Sequence, residues 1–222
     1  MRPFVLSVVL FLVSGCSGLE ARDPLPPRAG PKVRNAAIQV SATVTPSDPN
    51  AFNTPGRFSA LVDAAKVQER ARAVLAERDP EDEDVSSLPA RPTVEVEIAR
   101  ADAKYEGQTG LFVPKVIITV LFFPFDVPNY FISSDRFSLT LQAKWKLVQK
   151  GQQIAEGTAE GKQVGRFGDF SRGWYLFGYL RMPAPLKGSE WQEIADALLP
   201  GAQDALAESL VLEVEKALAA QK

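Results

Sequence analysis

Histidine is absent from this chain of 222 residues, and cysteine occurs once, at Cys16. Without histidine the chain cannot build a Ser-His-Asp or Cys-His nucleophile, or a histidine-ligated zinc or haem site. One cysteine cannot form a disulfide within the chain. A glycine-rich phosphate loop is also missing, because the sequence from Gly165 to Gly168 has neither a Walker lysine nor the GxGxxG spacing. We therefore expect no cofactor, no metal and no enzyme activity, although carboxylates, lysine or tyrosine could still supply acid–base chemistry.

Long apolar runs are missing too. A run of apolar residues extends from Phe4 to Val13, and Val116–Phe125 has ten residues without a charge. Both are too short for a transmembrane helix, which needs about 20 residues. The second lies in a segment, residues 111–132, that Pro114, Pro124 and Pro128 divide. It fits a buried strand, a hairpin in the core, or a wedge in the lipid interface.

The charge is nearly balanced. Lys and Arg number 25 and Asp and Glu number 27, giving a net charge of −2, which argues against nucleic acid as a partner. Hydrophobic residues make up 45% and charged residues 23% of the chain, a composition typical of globular proteins. Four consecutive acids at residues 81–84 could suggest calcium, but the spacing lacks an EF-hand glycine and distal glutamate, so a solvated acidic loop is favoured.

The N-terminus combines a positive charge, an apolar run and small residues. Arg2 precedes Phe4–Val13, and Ser14 and Gly15 lead directly into Cys16. This is the layout of a secretory signal peptide. The residues before and including Cys16 closely resemble the lipobox of bacterial lipoproteins, and the alternative is an ordinary signal peptide with an incidental cysteine.

The lipobox resemblance implies a set of boundaries and a location. Residues 1–15 would be removed, and Cys16 would carry the lipid anchor. Residues 16–35 contain four prolines and are predicted to be an extended tether. Residues 36–222 would form a single α+β periplasmic domain. Ser17, rather than aspartate, follows the cysteine, which by resemblance to enteric lipoproteins favours the outer membrane, facing the periplasm.

The periodicity of residues 36–222 predicts an α+β fold with an antiparallel sheet and helices packed on one face. Strands are expected at residues 36–45 and 93–104, with a helix between them from Thr54 to about Arg78. A long hairpin follows, with residues 137–147 alternating between apolar and polar and a turn at Lys150-Gly151. Small residues on the return strand, including Gly157 and Gly161, either let a helix approach the sheet closely or mark bulges. A C-terminal helix from Ser189 should break or kink at Pro200-Gly201.

Aromatic and arginine side chains are concentrated at residues 164–188. Such a mixture suits glycans or anionic lipid headgroups, and the alternative is internal packing of the aromatics against the sheet. The candidate binding residues are Arg166, Phe167, Phe170, Arg172, Trp174, Tyr175, Phe177, Tyr179 and Arg181.

The order of elements resembles that of periplasmic lipoproteins, namely auxiliary lipoproteins of ABC-type lipid transporters and the TolB N-terminal domain. Only Cys16 is carried over from these resemblances as a functional residue. The sequence thus predicts a non-enzymatic lipoprotein that binds a protein, lipid or glycan partner in the envelope. Two alternatives stay open: a carboxylate hydrolase of envelope polymers using Asp126, Asp135 or Asp169, and a purely structural envelope protein.

Overall fold

A computed structural model describes residues 18–27, 37–42, 62–78, 92–109, 134–168 and 188–220. These ranges contain five strands and two helices. In chain order they are β1 (Gly18–Leu19), β2 (Ala37–Ala42), α1 (Ala64–Arg78), β3 (Thr93–Thr109), β4 (Ser134–Gln149), β5 (Gln152–Gly168) and α2 (Gly188–Ala219). The α+β class is confirmed.

The sheet has the strand order β1-β5-β4-β3-β2 and is mixed rather than antiparallel. β2 pairs with β3 in parallel, from Ala37 opposite Thr93 to Ala42 opposite Ile98. The expectation of an antiparallel sheet was wrong for this pair, because α1 lies between the two strands and returns the chain to the same end of the sheet. β1 pairs with β5 antiparallel.

Two compact units divide the chain. The first comprises Met1–Ala21, Ala103–Ser138 and Val164–Leu198, and the second comprises Arg22–Asp102, Leu139–Gln163 and Leu199–Lys222. Strands β3, β4 and β5 each contribute residues to both units. The predicted domain limits, 36–222, stay a prediction.

The core of the second unit follows the predicted strand alternation. Val94, Val96 and Ile98 of β3 are buried, while Glu95 and Glu97 between them are exposed. The same alternation along β4 buries every apolar side chain predicted to face inward. These are Leu139, Leu141, Ala143, Trp145 and Leu147 in the second unit and Phe137 in the first.

α1 begins later than its sequence predicts. Asp63 is its N-cap, since one carboxylate oxygen accepts hydrogen bonds from the amides of Ala65 (3.0 Å) and Lys66 (3.4 Å). Val62 and Asp63 are not helical, so a helix running continuously from Thr54 is wrong, and residues 54–61 lie outside the described residues. Val67, Ala71 and Val74 form the buried face of α1.

α2 continues through Pro200, where the sequence predicts a break or kink. Its residues in the second unit pack on β5 at Gly161, where an added Cβ would lie 2.5 Å from the backbone oxygen of Ala202 and also clash with Leu206. The prediction that small residues on β5 admit a close helix is confirmed at this position. The predicted turn is also present, with Lys150 and Gly151 at φ values of 52° and 77° between β4 and β5.

Candidate functional site

The N-terminal residues of the first unit form an edge strand on the sheet. In β1, Gly18 lies opposite Arg166 and Leu19 opposite Gly165. The Glu20 amide then donates a 2.9 Å hydrogen bond to the Val164 carbonyl. Part of the segment predicted to be a free tether is therefore hydrogen-bonded to β5.

Glu20 holds two arginines from neighbouring strands. Its two carboxylate oxygens accept hydrogen bonds from Arg136 Nη2 of β4 at 2.8 Å and from Arg166 Nε of β5 at 3.0 Å. Burial tends to raise the pKa of Glu20, but the hydrogen bonds from Arg136 and then Arg166 outweigh it and hold the pKa below its ordinary value. The Glu20 side chain is 27% exposed and those of Arg136 and Arg166 are 40% and 47% exposed, so both guanidinium groups remain partly accessible.

Three aromatic rings of the first unit pack beside this cluster. Phe137, fully buried, meets Tyr105 at a ring-centroid distance of 5.3 Å and Phe167 at 5.9 Å in an edge-on arrangement. Such pairs stabilise by about 1 kcal/mol beyond their buried area. Phe167, one of the predicted binding residues, thus contacts the core, and its neighbour Arg166 contacts Glu20.

In the second unit, residues 22–27 contact both helices. Arg22 pairs with Glu208 at 3.2 Å and with Asp204 at 3.7 Å, and Arg70 of α1 pairs with the same two carboxylates at 3.2 and 3.9 Å. Two arginines thus share two acids of α2. Arg78 donates a hydrogen bond to the Pro26 carbonyl at 3.1 Å.

The outward face of the sheet in the second unit is a charged groove of about 680 Å³. Acidic Glu95 and Glu97 of β3 lie across it from basic Lys144 and Lys146 of β4. All four are exposed, and none makes an ion pair with another described residue. Opposite charges are balanced in this groove, so it favours neither an anionic nor a cationic ligand.

Of the predicted site residues, the structure describes two. Arg166 and Phe167 lie at the end of β5. Cys16 and the remaining aromatic and arginine residues, from Phe170 to Arg181, lie outside the described residues, and so does the segment at residues 111–132. Among the hydrolase candidates, Asp126 and Asp169 lie outside them as well, whereas Asp135 belongs to β4, with its side chain not described.

Sequence reasoning missed Glu20 and Arg136. Glu20 lies in a proline-rich stretch without periodicity, and Arg136 precedes the alternating part of β4. Neither position carries a motif, so only the pairing of β1 with β5 shows that they meet.

In the described part of the chain no group of three or more Cys, Asp or Glu side chains could hold a metal ion. No helix among the described residues is long and apolar enough to cross a membrane.

No known protein family matches this chain, and no curated protein is similar to it. Among solved structures, it is similar to one described as a "putative lipoprotein" from Caulobacter crescentus. The two share 13% sequence identity and a TM-score of 0.32 over 80% of this chain and 89% of the other. A similarity this distant says nothing about what the chain binds or does.

Proposed function

We propose that this chain is a lipoprotein of the bacterial cell envelope, anchored through acylated Cys16 and acting as a non-enzymatic accessory or scaffold. The resemblance of residues 13–16 to a lipobox motivates the proposal. The observation that carries it is the position of β1, which begins two residues after Cys16. A chain cut before Cys16 keeps every described element, and the first of these elements begins at Gly18.

Lipidation is tested by the intact mass of the protein extracted from membranes, with a Cys16→Ser variant as control. We expect a diacylglyceryl or triacyl increment on a chain that begins at Cys16, and its loss in the variant. An unmodified mass, or a chain that begins elsewhere, contradicts the anchor. Fractionation of inner and outer membranes tests the proposed outer-membrane location in the same samples.

We propose that a protein, lipid or glycan partner binds through the arginine and aromatic residues at 164–188. Arg166 supports this, since nearly half of its side chain is exposed although Glu20 holds it. The test compares capture from envelope membranes by the wild type and by a variant with Arg172, Trp174 and Arg181 replaced by alanine. We expect a partner that the wild type retains and the variant loses; identical capture by both contradicts this surface.

The absence of histidine favours a non-enzymatic role. The competing hydrolase proposal rests on Asp126, Asp135 and Asp169. It predicts turnover of peptidoglycan or polysaccharide that disappears when one of these residues is replaced by asparagine. If purified protein shows no turnover, the hydrolase proposal is wrong.

A further inference from the structure

The distance between Cys16 and the sheet is fixed by the chain itself. Only Ser17 separates Cys16 from Gly18, the first residue of β1. Consecutive Cα atoms are 3.8 Å apart, so the Cα atoms of Cys16 and Gly18 are at most about 7 Å apart. This is about the thickness of the headgroup layer on one side of a bilayer.

Residues 18–20 are also attached to the sheet in one defined orientation. Two register pairs join β1 to β5, and the Glu20 amide and carboxylate add hydrogen bonds to Val164, Arg136 and Arg166. No free spacer lies between Gly18 and the sheet. An anchor at Cys16 would therefore present one defined edge of the first unit to the lipid.

The chemistry of that edge suits a lipid surface. Leu19 is 53% exposed and is a large apolar side chain that water would otherwise surround. Leu19 lies opposite Gly165 and Gly18 opposite Arg166, so Leu19 is on the other face of the sheet from Arg166. On the face opposite Leu19, Arg136 and Arg166 share the carboxylate of Glu20, and each keeps at least 40% of its side chain exposed. Guanidinium groups bind phosphate oxygens in a planar, bidentate geometry, and a leucine in the interface gains from burial of its apolar area.

We propose that the β1 edge of the first unit lies in the headgroup layer of the membrane that holds the Cys16 anchor. In this edge-on approach Leu19 enters the interface on one side of β1. The guanidinium groups of Arg136 and Arg166, which reach Glu20 on the other side, contact phospholipid phosphates. This inference deepens the proposed function and rests on it, because an unlipidated chain would have no anchor to bring the edge to the lipid. The first unit would then contact the bilayer directly, without a flexible spacer between them.

The test is lipid quenching of a fluorophore placed at residue 19. An acylated Cys16 has no thiol, so a Leu19→Cys substitution gives the lipidated protein a single labelling site. The labelled protein is reconstituted in vesicles of phosphatidylethanolamine and phosphatidylglycerol that contain headgroup-level spin-labelled lipid. The matched control carries the label at Lys104→Cys, an exposed position of the first unit on β3, which is separated from β1 by two strands of the sheet.

We expect quenching at residue 19 to exceed quenching at residue 104 by about threefold, because a headgroup-level position lies within contact of the spin label. Insertion of six Gly/Ser residues between Ser17 and Gly18 should abolish that difference. Equal, weak quenching at both positions overturns the proposal, and so does quenching that the insertion leaves unchanged. The mass of each labelled sample is measured first, so that missing lipidation, which contradicts the proposed function, is distinguished from a lipidated protein whose β1 edge stays away from the membrane.

Discussion

At the residue scale, the best-defined charged contact of the first unit is the carboxylate of Glu20 between Arg136 and Arg166. It connects the residues that follow Cys16 to two strands of the sheet. Among the described residues, Glu20 is the acid that pairs with both arginines, and Arg136 Nε is buried without a hydrogen-bond partner. Glu20 is thus the principal compensation for both guanidinium groups among the described residues.

The substitution Glu20→Gln should lower the free energy of unfolding by about 1 kcal/mol at pH 7, because two charge-assisted hydrogen bonds become neutral and partial exposure weakens them. The folded-state pKa of Glu20 lies below its ordinary value of 4.5. The stabilisation is therefore complete above pH 4.5 and is lost as the pH falls through the folded-state pKa.

The free energies of unfolding of the wild type and Glu20→Gln are measured by urea denaturation at pH 7 and at steps below pH 4.5. The difference between them should shrink toward zero as the acid becomes protonated. Glu95→Gln, in an exposed glutamate without an ion pair among the described residues, serves as control and should change little. A Glu20→Gln difference that persists unchanged in acid would contradict the assignment.

Gly161 is a second residue on which a specific contact depends. In Gly161→Ala, the new Cβ would meet the backbone of α2 at Ala202 and Leu206, and backbone atoms cannot rotate away as a side chain can. We expect a loss of about 3 kcal/mol in the free energy of unfolding, at the upper end of overpacking costs. Gly18→Ala in β1, where nothing lies within 4 Å of the added Cβ, is the matched control. A loss in Gly161→Ala no larger than in the control would show that α2 does not lie against this strand.

At the scale of elements, α1 and α2 are joined by an ion pair with little exposure. Arg78 donates two hydrogen bonds to Glu215, at 3.0 and 2.8 Å, and the two side chains are 10% and 6% exposed. The hydrogen bond to Glu215 outweighs burial and raises the pKa of the Arg78 guanidinium above its ordinary value. Burial makes this pair sensitive to the loss of either partner.

Glu215→Gln should therefore lower the free energy of unfolding by about 3 kcal/mol, because a buried guanidinium would lose its counter-charge. The double variant Arg78→Met and Glu215→Leu should recover most of that loss, since an apolar pair needs no compensation. Chemical denaturation of the wild type, the single variants Arg78→Met and Glu215→Leu and the double variant forms the cycle, and Glu215→Gln is measured beside them. The exposed pair of Glu213 and Lys216 is the control, and its removal should cost less than about 0.5 kcal/mol. A double variant less stable than either single one would contradict this account.

The edge strand β2 is protected by two side chains of α1. Gln68 Oε1 accepts a hydrogen bond from the Val40 amide, and Arg72 Nη2 donates one to the Ile38 carbonyl, both at 3.2 Å. These side chains lie one turn apart on the helix. They occupy backbone groups that would otherwise be open to another strand.

Replacement of both Gln68 and Arg72 by alanine should promote self-association by strand addition at β2. Sedimentation velocity over a range of concentrations should show a monomer–dimer shift at lower concentration than in the wild type. Lys66→Ala and Glu69→Ala, at exposed positions of the same helix, form the control. If the edge variant and the control sediment alike, α1 does not protect this edge.

At the scale of the whole molecule, residues 18–27 contribute to both units. In the first unit they supply β1 and Glu20, and in the second they supply Arg22 and the Pro26 carbonyl. A chain that begins at residue 28 should therefore unfold at a lower urea concentration than one that begins at residue 17. We expect a difference of about 2–4 kcal/mol, from several partly exposed hydrogen bonds and ion pairs at about 1 kcal/mol each. Equal stability of the two chains would show that this segment is a passive tether.

Much of the fold could be predicted from the sequence. The alternation along β3 and β4 predicted which apolar side chains are buried, because a strand places successive residues on opposite faces. It was wrong for Ser138, which is buried although the pattern places it on the polar face. Lys150-Gly151 predicted a turn, and the small residues of β5 predicted a close helix. The start of α1 and the parallel pairing of β2 were not predicted, since Thr54-Pro55 is as good a local helix start as Asp63, and the direction of pairing depends on where the helix returns the chain.

The sequence by itself excluded histidine-dependent nucleophiles and histidine-ligated metal sites. It also determined the class of fold and the resemblance of residues 13–16 to a lipobox, because these depend on residue types and on local periodicity. Only the tertiary structure decided that the residues after Cys16 form a strand, and that Glu20 meets Arg136 and Arg166. The reason is physical: Glu20 and Arg166 lie 146 positions apart in the chain, and no local propensity encodes a contact between them. Their meeting follows from the register of β1 on β5, which is fixed when the sheet assembles.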